Sequence, residues 1–406
     1  MSFESVAFEM SLQKTNKILR MIGLQTDDKE SNQTFMERLW SRKFYCFFNC
    51  MLYCELIGEV AWMINSIMER KFLEATNSAP CATLCFLGSA KTYYRIKYGH
   101  HINDFINSLR KLQSTQFKSS AQRSSTAFGE IRDMVRKLQL SINISTVVSV
   151  TGLVVFLISP LIIMAFTYYM SGKVELRLPF LVMYPFNEFD LRVYPFIYIR
   201  HVITGLFGLL TVVGPDCLYY TFCTFVQVQF RTIVTPNARI WNQNGYDKFH
   251  EKFRACISRH KKLIRCCNLI ETLYSKSCLF NFMSSSLLLC LAGFNITAYK
   301  DLAMFGNFLS FLFLCMLQIY LICDYGDNIP RASMDVSSAV YNTLWYTVDV
   351  KTAKNLLVIL IRSQKSCKLT AYMFAEMNLG AFTRILSTSW SYFALLKSVY
   401  NRGGEH

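Results

Sequence analysis

Long apolar runs alternate with polar, basic stretches along this chain of 406 residues. A transmembrane α-helix needs roughly 20 predominantly apolar residues, and several of the runs reach that length. We predict seven membrane spans, at residues 44–67, 79–98, 141–170, 196–226, 277–298, 302–323 and 377–400. The pattern therefore predicts an all-α, polytopic membrane protein.

The stretches between these spans divide the chain further. We predict a polar N-terminal segment at 1–43, four membrane helices within 44–235, a basic amphipathic helix at 236–276, two membrane helices within 277–323, further amphipathic helices at 324–376, and a last membrane helix with its tail at 377–406. The apolar residues between 8 and 22 recur at helical spacing, which predicts a helix inside the first segment. The two long stretches at 236–276 and 324–376 are also helix-patterned, so they are expected to continue the neighbouring spans beyond the bilayer.

The last span is unusually polar. At about 100° per residue, one narrow face of the helix collects the residues Arg384, Thr388, Ser391, Leu395 and Ser398. A hydrophilic face with one bulky aliphatic residue suits a pore wall with an apolar gate. Small polar residues also allow membrane helices to pack closely. The helical pattern alone leaves both interpretations open.

Composition agrees with a membrane protein, because 52% of the residues are hydrophobic and only 17% are charged. The net charge of +16 does not indicate a nucleic-acid partner, since the basic residues lie between apolar spans. Many of the 15 cysteines lie inside those spans, as small apolar residues do. No phosphate-binding loop, metal-ligand spacing or nucleophile–base pair is found, so neither an enzyme nor a cofactor is predicted.

The positions of the basic residues predict the orientation. The N-terminal segment and the three connections on its side hold 33 Lys and Arg residues, the opposite side holds 8, and Arg200 and Arg384 are unassigned. Basic residues accumulate on the cytoplasmic side. We therefore expect the N-terminus inside and the C-terminus outside. A G-protein-coupled receptor has the opposite orientation and an acidic-Arg-Tyr triplet after its third span, where this chain has Tyr168, Tyr169 and Met170.

The C-terminal region resembles the signature of insect odorant receptors. The resemblance rests on Ser337-x-x-Val340-Tyr341-x-x-x-Trp345-Tyr346, on Leu369-Thr370-Ala371, on Phe382, and on Ser389-Trp390-Ser391-Tyr392-Phe393-Ala394-Leu395-Leu396. Length, span number and predicted orientation agree with that family over the whole chain. Two positions depart from the pattern: Cys367-Lys368 replaces a frequent proline, and Trp390 replaces a frequent tyrosine.

The resemblance implies a ligand-gated, non-selective cation channel of four subunits. In it this chain would pair with the odorant receptor coreceptor in the plasma membrane, in the dendrite of an olfactory neuron. The last helix would line the pore, with the gate at Leu395, three residues after Tyr392, and a polar position at Ser398. Cytoplasmic helices would form the anchor between subunits, to which Tyr341 and Trp345 would belong. A gustatory receptor of the same superfamily, which often works without that coreceptor, remains an alternative.

The resemblance also implies a pocket for small volatile molecules in the outer half of the membrane, between the second, third, fourth and sixth spans. By span position, this implicates Leu84, Leu87, Gly88, Gly152, Phe156, Ser159, His201, Ile203, Phe308 and Phe311. Such a pocket would recognise its ligand by shape and dispersion, with a few polar groups for orientation. The other partners implied are membrane lipid and permeating cations. For His201 we favour an interfacial position beside Arg200.

Two further polar residues lie at predicted span ends. Asn295-x-Thr297 is a glycosylation triplet at the outer end of the fifth span, close to the membrane. Arg384 lies in the inner half of the last span, where an intramembrane charge indicates function. Pairing with Glu376, an inward-reaching side chain and a place in the inner pore vestibule are all open for it.

Overall fold

The computed structural model describes residues 3–24, 42–117, 125–240, 246–299, 302–343, 345–347 and 349–403. The helices are α1 (Phe3–Met21), α2 (Lys43–Met68), α3 (Phe72–Lys97), α4 (Gly99–Phe117), α5 (Ser125–Ser171), α6 (Tyr194–Ile240), α7 (Tyr246–Ala298), α8 (Leu302–Tyr341), α9 (Val350–Gln364) and α10 (Leu379–Gly403). A 3₁₀ turn (Trp345–Thr347) and a hairpin of β1 (Thr370–Ala371) with β2 (Ala375–Glu376) complete the described elements. Parts of the predicted segments, at 25–41, 241–245 and 404–406, lie outside the described residues.

The predicted all-α membrane fold is confirmed, and each of the seven predicted spans coincides with a helix. Among the described residues, five helices are long and apolar enough to cross a membrane by length and composition: α2, α5, α6, α7 and α8. The other two, α3 and α10, carry more polar side chains. In α3 the charged residues Lys91 and Arg95 are buried inside the bundle, which is where charges within a membrane protein are tolerated.

Four helices, α5 to α8, are 40 to 53 residues long. At 1.5 Å per residue they measure roughly 60–80 Å, about twice the hydrocarbon thickness of a bilayer. The basic stretch before the fifth span is the first part of α7, and the stretch after the sixth span begins as the last turns of α8. The same helices therefore build both the apolar bundle and a polar extension beyond it.

The centre of the fold is α6, which packs against α1, α3, α5 and α8. Its residues Tyr220, Phe222 and Phe225 are completely buried. Within a membrane bundle, buried side chains of this kind stabilise mainly through close packing between helices. Helix α1 covers this core with an apolar face, and its Phe8 ring meets Phe225 edge-on at 4.9 Å between centroids. The helix predicted at 8–22 is thus confirmed and begins at Phe3.

Three predicted boundaries differ in the structure. Helix α3 begins at Phe72 and contains Pro80 in its interior, although the span was expected to start at 79. Within the predicted stretch 324–376, α8 continues to Tyr341 and α9 begins after Asp349. Asp349 caps α9, since its carboxylate accepts a hydrogen bond from the Thr352 backbone N–H at 3.2 Å. Such a cap satisfies a donor that a new helix start exposes.

The last helix begins at Leu379 because the residues before it form a hairpin instead. β1 and β2 pair antiparallel, and the Met377 N–H donates to the Leu369 carbonyl at 2.8 Å. The hairpin is held on α7, where Glu271 accepts a hydrogen bond from the Thr370 backbone N–H at 2.7 Å. This arrangement joins the start of α10 to both α7 and α8.

The turn at 367–369, which lacks the family's proline, is fixed by side-chain contacts. Cys367 is buried, and its backbone N–H donates to the Ser333 hydroxyl of α8 at 3.0 Å. A hydrogen bond from the Cys267 thiol lowers the pKa of the Cys367 thiol, and nearby Arg362 acts in the same direction. Cys367 therefore ties this turn to both α7 and α8 without a proline.

Candidate functional site

Two adjoining cavities lie inside the helix bundle. The larger has about 1120 Å³ of space not filled by atoms, including its open part, and is lined by α2, α3, α5, α6, α8 and Phe180. The smaller has about 730 Å³ and shares Glu59, Cys81, Phe156, Phe180 and Phe311 with it. Small-molecule sites occur preferentially between the helices of bundles, where these two cavities lie. The walls are mostly apolar, with a few polar side chains.

The structure brings six of the ten predicted pocket residues to these cavities. Leu84, Gly152, Phe156 and Phe311 line the larger cavity, and Ser159 and Phe308 line the smaller one together with Phe156 and Phe311. The Ser159 hydroxyl accepts a hydrogen bond from the Asn307 amide at 2.8 Å. Parts of α3, α5 and α8 that the sequence selected therefore border these cavities.

The other four predicted residues line neither cavity. Leu87 is completely buried, and Gly88 lies against α6, where an added Cβ would come within 2.3 Å of the Thr211 hydroxyl. Ile203 is 38% exposed on the outside of the bundle. His201 is buried behind the cavity wall. The spacing placed each residue in the right helix but could not determine how far that helix is rotated.

A polar network surrounds Glu55 of α2 beside the larger cavity. Its carboxylate pairs with the Arg200 guanidinium and lies 2.9 Å from His201 Nε2. The Tyr184 hydroxyl is 2.8 Å from the same His201 nitrogen and accepts a hydrogen bond from Arg200 at 3.0 Å. The expectation that His201 is interfacial is wrong, because its side chain is completely buried and held by this network.

A second ion pair closes the opposite part of the larger cavity. Each carboxylate oxygen of Asp216 in α6 lies 2.7 Å from Lys91 Nζ in α3. The Gln318 side chain of α8 donates to the same carboxylate at 2.8 Å. Three helices are joined at this point, and both Asp216 and Gln318 line the cavity. A buried ion pair with a third hydrogen bond is well satisfied.

Sequence reasoning missed the contribution of α2 to the cavity. Leu52, Glu55 and Glu59 line it, although the first span was not included in the predicted pocket. The available signal was the presence of two acids four residues apart within an apolar span, since a charge inside a membrane span usually faces the interior of the bundle. Glu59 is almost fully buried, and among the described residues neither of its carboxylate oxygens has a hydrogen-bond partner.

The polar face of α10 points away from the chain's own bundle. Arg384, Thr388, Ser391, Leu395 and Ser398 are all exposed, and Leu395 is 63% exposed. The opposite face packs on α7, where the Ser389 hydroxyl donates to Ser286 at 3.3 Å and the ring of Phe393 meets Gly293. The small polar residues that bring α10 close to its own bundle are therefore not those of the predicted pore face.

Two exposed aromatic residues mark the polar extension of the bundle. Tyr341, at the end of α8, is 64% exposed, and Trp345, in the 3₁₀ turn, is 45% exposed. Neighbouring Tyr346 is 68% exposed and contacts the Trp345 ring edge-on, with 6.0 Å between centroids. Large exposed aromatic residues in a cluster are typical of protein contact surfaces.

The two polar residues at the span ends have local partners. Asn295 is completely buried and its amide donates to the Thr76 carbonyl at 2.8 Å, so the glycosylation triplet is inaccessible in this fold. Arg384 contacts the Gly380 carbonyl, while Glu376 pairs with Lys368 at 2.6 Å. The pairing of Arg384 with Glu376 is therefore not formed. The residues described contain no group of three or more His, Cys, Asp or Glu arranged for a metal ion.

Comparisons with known proteins give one consistent result. The family model described as 7tm Odorant receptor matches residues 71–390. Putative odorant receptor 92a of Drosophila melanogaster is 26% identical over 352 residues, covering 85% of this chain and 84% of that protein. Putative odorant receptor 85d of the same fly is 29% identical over 227 residues, covering 56% of this chain and 55% of that protein.

A solved structure has the same fold. The olfactory receptor OR5 of the insect Machilis hrabei, in complex with eugenol, superimposes with a TM-score of 0.80. The superposition covers 97% of this chain and 99% of that one, at 13% sequence identity. At 13% sequence identity, the superposition shows that the two chains share the arrangement of their helices.

Proposed function

Because the chain belongs to the 7tm odorant receptor family, whose members are receptors in the membrane and not enzymes, we propose that it is the ligand-tuned subunit of an odorant-gated cation channel. Its partner in this proposal is the odorant receptor coreceptor, in a tetramer. The observation that carries the proposal is that one chain combines a mostly apolar internal cavity with a polar helix face turned away from its own bundle.

In this proposal the cavity is the odorant site. Leu84, Gly152, Phe156 and Phe311, with Ser159 and Phe308 next to them, offer apolar surface and one hydroxyl group to a small volatile molecule. Dispersion and shape would supply most of the affinity. Five helices and Phe180 line this site, so the ligand would bind within the bundle. Leu87, Gly88, His201 and Ile203, which line neither cavity, are not part of the site in this proposal.

The exposed face of α10 is proposed to line a central pore between subunits. Thr388, Ser391 and Ser398 would offer hydroxyl groups to water and permeating cations, and Leu395 would form the apolar gate that dewets in the closed state. The supporting observation is that the residues of this face are exposed, whereas the opposite face packs on α7.

The proposed orientation has the N-terminus in the cytoplasm and the C-terminus outside the plasma membrane of the olfactory neuron. Its support is the excess of basic residues in the polar extension of the bundle. The extension is then a cytoplasmic anchor, and Tyr341 and Trp345 contact neighbouring subunits there. An epitope tag at the N-terminus tests this arrangement, because surface staining of unpermeabilised cells would contradict it.

Current recording tests the function. Cells that express this chain with the coreceptor should give inward cation currents to members of an odorant panel, and cells that express either chain alone provide the controls. We expect odorant responses that depend on both chains and whose ligand preference follows this chain. Equal currents without the coreceptor would favour a gustatory-type channel, and equal ligand preference after exchange of this chain would contradict a ligand-tuned subunit.

A further inference from the structure

Glu59 is an acidic side chain in the cavity wall, and neither of its carboxylate oxygens has a hydrogen-bond partner among the described residues. Resting on the proposed function of this cavity as an odorant site, we propose that Glu59 selects ligands that carry an O–H or N–H hydrogen-bond donor, so that small alcohols and amines are preferred to ethers and hydrocarbons of the same size.

Glu59 is built into the place where the two cavities meet. Its side chain is 1% exposed and lines both of them, together with Cys81, Phe156 and Phe180. Among the described residues, no group hydrogen-bonds to either of its carboxylate oxygens. A buried carboxyl group without a partner is strongly unfavourable, so an acid at such a position requires an explanation.

The other acids that line the larger cavity, Glu55 and Asp216, form ion pairs within the described part of the chain. Glu55 pairs with Arg200 and His201. Asp216 pairs with Lys91 and receives a hydrogen bond from Gln318. The cationic and amide groups next to the larger cavity are thus directed at Glu55 and Asp216. Glu59 differs from both, because it lines both cavities and neither of its oxygens has a hydrogen-bond partner among the described residues.

A donor on the ligand satisfies Glu59 in either protonation state. An ionised carboxylate only accepts hydrogen bonds, and a protonated carboxyl group still keeps a carbonyl oxygen that accepts. An alcohol or amine supplies the hydrogen in both cases. An ether supplies none, so in either state it makes one hydrogen bond fewer to Glu59 than the alcohol does. The apolar side chains around the carboxyl group accept the hydrocarbon part of all these ligands equally, and the donor therefore determines the preference.

Probes of matched size and shape separate the effect of the hydrogen-bond donor from that of the hydrocarbon part of the ligand. We suggest 1-hexanol, hexylamine and methyl pentyl ether as one set, and 2-phenylethanol, 2-phenylethylamine and benzyl methyl ether as another. Half-maximal concentrations are recorded from cells with the coreceptor for the wild type, Glu59→Leu and Glu59→Gln. Glu69→Leu serves as the control, since Glu69 lies directly after the last residue of α2, the helix that carries Glu59, but is exposed. Binding to purified protein is followed in parallel by the ligand-induced shift in melting temperature.

The ratio of ether to alcohol concentrations within each variant does not depend on expression level. We expect this ratio to be about ten or more in the wild type and in Glu69→Leu, as one buried hydrogen bond implies, and to fall to about one in Glu59→Leu. If Glu59→Gln keeps the preference for the alcohol over the ether and loses only its response to the amine, the amine binds wild-type Glu59 as an ammonium group. If it keeps both, a neutral hydrogen bond suffices. Either result supports the proposal.

Two other outcomes are distinguishable. If ethers and alcohols are equally potent on the wild type, or if Glu59→Leu leaves the ratio unchanged while ligands still open the channel, the donor preference is overturned and the odorant-site proposal stands. If no probe of either set opens a current or shifts the melting temperature in the wild type or the control, both the odorant site and the donor preference are contradicted.

Discussion

Lys91 and Asp216 face each other inside the helix bundle, and the Lys91 ammonium lies 2.7 Å from both oxygens of the Asp216 carboxylate. The side chains are 2% and 9% exposed. They belong to α3 and α6, and Gln318 adds a hydrogen bond from α8. This pair explains how α3, which is too polar to be a free membrane span, is accommodated in the bundle.

Removing one partner of this pair should destabilise the fold strongly. Lys91→Met leaves the Asp216 carboxylate buried without its cation, and Asp216→Leu leaves the ammonium without its anion. Each change should cost about 3–5 kcal/mol and lower the melting temperature of the detergent-solubilised protein, measured by the reaction of a thiol dye with cysteines exposed on heating.

The double variant Lys91→Met/Asp216→Leu distinguishes charge from packing. It buries no unpaired charge, so it should recover most of the melting temperature that either single variant loses. Lys71→Met provides the control, because Lys71 pairs with Glu69 at the surface and both side chains are about half exposed. A double variant that is as unstable as the sum of the single ones would show that the two side chains do not act as a pair.

The junction between α8 and the last helix depends on a glycine. A Cβ at Gly326 would lie 2.5 Å from the Met377 carbonyl oxygen and 2.9 Å from the Met377 Cβ. Gly326→Ala should therefore destabilise the protein by about 1–3 kcal/mol through overpacking, even though alanine favours the helix. Gly306→Ala in the same helix meets no atom within 4 Å, and should be neutral or stabilising by up to about 1 kcal/mol. Equal melting temperatures for the two variants would refute the close contact.

The gate assigned to α10 makes a separate prediction. Leu395→Ala should raise the ligand-free current several-fold, because it removes the apolar side chain that dewets the proposed pore. Val399→Ala is the matched control, since Val399 is exposed to a similar extent, 59% against 63%, but lies to the side of the polar face. Basal current is measured with the coreceptor and normalised to surface expression. An equal increase in both variants, or none in Leu395→Ala, would exclude Leu395 as the gate.

The helices and the face of α10 were predictable because they depend on local patterns. Apolar runs of sufficient length predict spans, and a 100° step places Thr388 and Ser391 on one face whatever surrounds them. The structure leaves that face exposed and buries Ser389 instead. The hairpin before α10 was not predictable in the same way, since it is stabilised by Glu271, which is 99 residues away from Thr370 in the chain.

The interior of the bundle was predicted less well, for a related reason. Span position placed Phe156 and Phe311 on the cavity correctly, yet it also selected Gly88, which lies against α6. Whether an acid such as Glu55 is paired depends on Arg200, 145 residues further on. The sequence does not determine how two packed helices are rotated about their axes relative to each other. The partners of Glu55, and the absence of a hydrogen-bond partner for Glu59 among the described residues, therefore cannot be deduced from it.

The exposed aromatic residues of the polar extension give the last prediction. Trp345 is 45% exposed beside Tyr346 and lies in the 3₁₀ turn, where α9 does not cover it. In an anchor between subunits such a residue often contributes 2 kcal/mol or more to association. Trp345→Ala should therefore reduce the fraction of this chain that co-purifies with the coreceptor, while assembled channels keep the wild-type half-maximal odorant concentration. Tyr169→Ala, which removes a more exposed aromatic at the other end of the bundle, should leave assembly intact. Normal co-purification of Trp345→Ala with a shifted odorant sensitivity would place Trp345 in gating rather than in the anchor.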